Sequence, residues 1–150
     1  MTIVIFSKTL DRRNQVFPFI EKLSAKDPDL GILIFQGFQD LEEAPEETFP
    51  LGETEPYFVT RIRRGREVQV ELVKRLSEPR IFEMKADQGR EYHRFIYFPY
   101  IYRDEPAYVF VYGFTKIHGK PDLTNFYMRK AKELYDYLKR TNREEEFFEG

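Results

Sequence analysis

The chain has 150 residues, 33% of them charged, and a net charge of −2, which suits one domain over 1–150 with a substantial core. It has no cysteine, so disulfides and thiolate chemistry are excluded and a reducing, cytoplasmic setting is expected. No stretch approaches the roughly 18 apolar residues of a membrane span, and the opening MTIVIFSK lacks the basic start of a signal peptide, so neither a leader nor a membrane partner is expected. The small net charge hides a segregation: residues 1–60 are net acidic, 61–140 net basic, and the last ten acidic again. A basic half joined to acidic ends suits a nucleic-acid face, with plain surface solubilisation as the competing explanation.

Thr2–Phe6 is an uninterrupted apolar run and predicts a short buried strand. After a polar connection, Phe17–Ala25 predicts a helix with Pro18 in its first turn. Asp27-Pro28-Asp29 breaks it and starts a second helix, whose Leu30, Ile34, Phe38 and Leu41 recur at helical spacing. Gly31 and Gly37 weaken that second prediction, each by about 1 kcal/mol against alanine. Residues 42–56, rich in proline and glutamate, predict an acidic loop insertion that buries little apolar surface. Tyr57–Ile62 and Val68–Leu72 then flank Arg63-Arg64-Gly65-Arg66, the pattern of a hairpin with a basic tip. Arg61, Arg63, Arg64 and Arg66 are candidate phosphate contacts, because guanidinium forks match phosphate oxygens, with a solvated turn as the alternative.

Three further β-like runs follow: Arg80–Lys85, Glu91–Tyr102 and Ala107–Ile117. Their short connections predict an antiparallel meander. Arg80, Lys85, Arg94, Lys116, His118 and Lys120 are expected on or beside this sheet, where they would suit a polyanion better than an apolar ligand. Asp122 then caps a helix whose buried stripe is Leu123, Tyr127, Ala131, Leu134 and Leu138. The acidic tail 144–150 is expected to fray, with Phe147-Phe148 as an alternative anchor against an apolar groove or a partner chain.

RIFEMK, then YHRFIYF, then YGFTK with Lys120-Pro121, then Ala131 in a helix form an ordered set. It resembles the RelE/HigB toxin superfamily, more closely its phage-derived branch. NQVFPFIEKLSAKD and the apolar helix after it resemble that family's opening helical hairpin. The resemblance implies an α+β fold: a RelE-like antiparallel sheet with two N-terminal helices and one C-terminal helix. It also implies an endoribonuclease that cuts messenger RNA, often on the ribosome, and is restrained by a helix-turn-helix antitoxin. By this resemblance Arg94 is the phosphate-stabilising arginine and Lys116 a second functional cation. The family's double lysine is interrupted by Ile117, so His118 or Lys120 would stand in. Lys85 replaces an arginine and keeps the charge without the fork.

The chemistry can be set beside those residues. Attack of a 2′-hydroxyl on its phosphate needs a base, cations on the phosphorane and an acid at the leaving oxygen. Two distant histidines and scattered carboxylates form no metal-ligand motif, so a route without metal or cofactor is expected. Period-2 alternation puts Tyr92, Arg94, Ile96 and Phe98 on one face and His93 on the other. Lys116 and His118 share a parity, and an imidazole is the side chain suited to acid–base work at neutral pH. Tyr92, Tyr97 and Tyr112 are candidate stacking residues, with plain sheet packing as the alternative. Arg94, Lys116 and His118 are therefore the catalytic candidates. The alternatives are an ion pair of Arg94 with Glu83 or Glu91, and a catalytically inactive RNA- or protein-binding member of the same fold.

Overall fold

In a computed structural model that describes residues 1–149, seven strands form one sheet and three helices cover it from both sides. The strands are β1 (Ile3–Ser7), β2 (Tyr57–Arg63), β3 (Arg66–Arg75), β4 (Phe82–Gln88), β5 (Glu91–Tyr102), β6 (Glu105–Lys116) and β7 (Phe148–Glu149). The helices are α1 (Val16–Lys26), α2 (Pro28–Glu43) and α3 (Thr124–Thr141), so two precede the meander and one follows it. Sheet order is β2-β3-β4-β5-β6-β1-β7. The meander from β2 to β6 is antiparallel throughout, as its short connections predict. β1 enters beside β6 in parallel, pairing Ile3 with Ala107 and Phe6 with Phe110. None of the described helices is long and apolar enough to cross a membrane.

Burial on both faces explains the apolar runs. On one face Phe95, Tyr97 and Phe110 pack with Ile20, Ile34 and Phe38 of α1 and α2. On the other, Ile96, Phe98, Tyr112 and Phe114 pack with Met128, Ala131, Leu134 and Leu138 of α3. Asp27 starts α2 by accepting from the amides of Asp29 (3.1 Å) and Leu30 (3.3 Å), with Pro28 at the first helical position. Gly37 is tolerated inside α2 because the helix lies close on β4: a Cβ there would sit 2.8 Å from the Met84 sulfur.

Residues 44–56 connect α2 to β2 and are largely exposed; Leu51 is buried among them, its amide donating to the Tyr108 hydroxyl at 3.0 Å, and Phe49 packs on the Tyr108 ring. Aromatic anchoring thus holds an otherwise acidic segment. One expectation needs correction, because the tail does not fray through 149. Phe147 is 1% exposed and meets Tyr137, while β7 pairs with β1. Its apolar anchor is therefore a groove of the same chain.

Candidate functional site

Register brings several of the expected cations onto the face that carries α3. Lys85 lies opposite Arg94, Arg94 opposite Phe114, and Tyr92 opposite Lys116. Over β3, β4 and the start of β5 this face holds a ladder of ion pairs. Lys74 faces Glu83 at 3.8 Å, Lys85 meets Glu71, and Arg94 meets Asp87. Lys116 at the end of β6 meets Asp122 at 3.1 Å. Each of these positive charges already has a carboxylate beside it.

Arg94 is the largest departure from the sequence reading. It is 6% exposed; its Nη1 donates to Asp87 and to the His93 carbonyl (3.0 Å), and its Nε is buried without a partner. A buried guanidinium is stable only when paired, so Arg94 here fastens β5 to the end of β4 and presents no open fork. Its partner is Asp87, neither Glu83 nor Glu91. Arg80 is also displaced from the expected cluster: it lies in the β3–β4 connection at the opposite end of the sheet, donating to the Tyr135 hydroxyl at 2.7 Å. His118 and Lys120 follow β6 and are exposed, and Tyr92 is exposed beside Lys116, whereas Tyr97 and Tyr112 are buried in the core and Arg61 is paired with Asp40 of α2.

His93 points to the other face and is 1% exposed. Its Nδ1 lies 2.8 Å from the Thr115 hydroxyl and its Nε2 3.1 Å from Glu91. A neutral ring donating from Nε2 to the carboxylate and accepting at Nδ1 satisfies both. Burial, opposed by Glu91, holds its pKa below the ordinary value of 6.5. An unfolded histidine therefore takes a proton before the folded one does, and stability falls as pH drops below about 6.5. Thermal melts between about pH 7.5 and about pH 5.5 are expected to show this loss, and His93→Gln to flatten it; an equal slope in both proteins would contradict it.

Cations without carboxylate partners gather elsewhere. The β2–β3 turn, the β4–β5 turn, the end of β6 and the α1–α2 junction all lie at one end of the sheet. Arg64 and Gly65 both have positive φ (52° and 75°), the two-residue hairpin turn that twisted strands prefer. It projects Arg63, Arg64 and Arg66, and Arg63 ties the tip to the Asp87 carbonyl at 3.1 Å. Beside the start of β5, a cleft of about 560 Å³ opens between α1 and the ends of β5 and β6. Lys22, Lys26, Arg90, Lys116 and His118 border it, and Phe19 lies in its wall. Among the described residues, Lys22, Lys26 and Arg90 have no carboxylate within 4.0 Å.

Other carboxylates sit at the opposite end, beside cations of their own. Glu46 meets the amino terminus, Glu53 faces Arg75, and Glu145 holds Arg103 beyond the β5–β6 turn. The 42–56 segment thus lies far from the cationic end and does not cover it.

Sequence reasoning missed Lys22, Lys26 and Arg90. The lysines stand four apart on α1 and so share a helix face, which was a legible signal. That this face borders the end of β5 was not legible. No family model matches the chain, and no curated protein or solved structure is significantly similar to it.

Proposed function

We propose that this chain acts on RNA as a RelE/HigB-like toxin, cutting messenger RNA without a metal and restrained by a helix-turn-helix antitoxin. The observation that carries the reading is the gathering of cations at one end of the sheet, where Lys22, Lys26 and Arg90, which have no carboxylate partner among the described residues, border one cleft with His118 and the Asp122-paired Lys116. Such a concentration favours a phosphate backbone. The order of elements, two helices, a meander and a closing helix, is compatible with a RelE-like domain. Among the described residues no three His, Cys, Asp or Glu side chains come together as metal ligands would.

Lys116 would neutralise charge on the phosphorane, and exposed His118 would exchange a proton with the 2′-hydroxyl or the leaving oxygen. Arg94 acts one step back, holding the β4–β5 end in register. Lys120, Tyr92 and the Arg63–Arg66 tip extend the contact surface, and the ribosome would present the message.

Expression without an antitoxin, followed by growth and transcript-integrity measurements, tests this. Lys116→Ala or His118→Ala is expected to lower cleavage about a hundredfold or more. A parent protein that neither arrests growth nor cuts RNA, with or without ribosomes, would overturn it. One observation favours a second reading, a catalytically silent RNA- or protein-binding member. Arg94, the arginine the family resemblance assigns to phosphate, is closed on Asp87. RNA binding without cleavage in the same assay would select that reading.

A further inference from the structure

The cleft at the cationic end combines two kinds of surface. Its inner wall is apolar, formed by Phe19, Leu23 and Leu30. Its rim is cationic, formed by Lys22, Lys26 and Arg90. Its two carboxylates are already engaged, Asp27 by the first amides of α2 and Glu91 by His93. His93 and Thr115 in the wall satisfy each other. The polar groups within are therefore engaged, the four Lys and Arg side chains outnumber the two carboxylates, and what the cleft leaves unmatched is a net positive rim beside an apolar wall.

We infer that this cleft seats a single nucleotide unit of single-stranded RNA, its base against Phe19 and Leu23 and its flanking phosphates on Lys22, Lys26 and Arg90. The volume of about 560 Å³ falls within the range of small-ligand sites. A base reaches an apolar wall only when splayed out of a helix, which selects single strands over duplexes. This subsite lies on the α1 side of the sheet, across from the Arg94–Asp87 face. The inference rests on the RNA reading above and adds to it the place and the strandedness of the contact.

The test compares the full chain with a Lys22→Glu/Lys26→Glu double variant. Both side chains are exposed and lack carboxylate partners among the described residues, so the fold should persist, which circular dichroism checks. Binding of a labelled single-stranded oligoribonucleotide is expected to weaken at least about tenfold in the variant. The slope of log affinity against log salt should flatten by about 1.4, the share of two single-strand phosphate contacts. In NMR titrations, adenosine 5′-monophosphate is expected to shift the amides of Phe19, Lys22 and Thr115 more than inorganic phosphate does. Parent RNA affinity retained by the variant, duplex bound as well as single strand, or shifts confined to Tyr92 and the strand face would overturn the subsite alone. Displacement of the oligonucleotide by polyglutamate at equal charge would reassign the cleft to an acidic protein partner. Absence of any RNA binding by the parent would overturn the functional reading together with the subsite.

Discussion

Phe110→Ala is expected to destabilise the protein by about 3–5 kcal/mol, enough to consume much of a domain's stability. Phe110 is fully buried on β6, where its ring lies 4.9 Å from that of Phe38, 4.5 Å from that of Tyr97 and 6.5 Å from that of Phe6. It therefore joins β1, β5, β6 and α2 at one point. Close-packed rings cannot all move into the space left by its removal, so a cavity term adds to the lost transfer energy. Phe58→Ala is the matched control: Phe58 is 52% exposed on the edge strand β2. Urea midpoints should drop sharply for the first variant and hardly move for the second. Similar shifts in both would show that the core is not organised around Phe110.

Gly113→Ala is the second large effect, and it couples stability to the cleft. A Cβ at Gly113 would lie 2.5 Å from Cδ2 of Phe19 and 3.2 Å from Cδ1 of Phe95. The backbone cannot retreat, because Gln15 clasps it from both sides: its Nε2 donates to the Gly113 carbonyl and its Oε1 accepts from the Gly113 amide, each at 2.7 Å. Phe19 must move instead. The expected cost is about 1–3 kcal/mol, read from thermal melts, and the displaced ring should alter the cleft. Adding Phe19→Leu should recover part of the loss, since the smaller side chain makes room. A Gly113→Ala protein with the parent's melting temperature would refute this account of α1 on β6.

Much of the architecture was legible because it is local. Period-2 runs located β5 and β6 to within about two residues, and the Arg-Gly turn located the β2–β3 hairpin. The stripe through Ala131, Leu134 and Leu138 identified the buried face of α3. Asp27-Pro28 located the start of α2. The placement of β1 beside β6 depends on contacts about a hundred residues apart, which no local pattern encodes. β4 runs on to Gln88, past the expected end at Lys85, because Asp87 and Gln88 still pair with β5.

The candidate site was legible in direction more than in depth. Alternation correctly put Tyr92 and Arg94 on one face and His93 on the other; that Lys116 lies opposite Tyr92 comes from the cross-strand register. Alternation could not say that Arg94 would be buried or that Asp87 would reach it. Arg80 was grouped with the others because a sequence does not show at which end of a strand its flanking loop emerges. The basic surplus of the middle of the chain was real, but part of it is spent on the strand-face ion pairs. Of the unpaired remainder, Arg63, Arg64, Arg66 and Arg90 sit at or beside the turns, joined by two lysines from the acidic first sixty residues, while Arg129, Lys130, Lys139 and Arg140 lie on α3.

The turns at one end of the sheet give this molecule a local patch of positive charge that its overall sign conceals. A polyanion approaching it would feel a torque that turns the arginine tip and α1 lysines forward before contact, so encounter should be fast at low ionic strength and slow as salt is added. A slightly acidic protein can in this way greet a like-charged polymer with a positive patch.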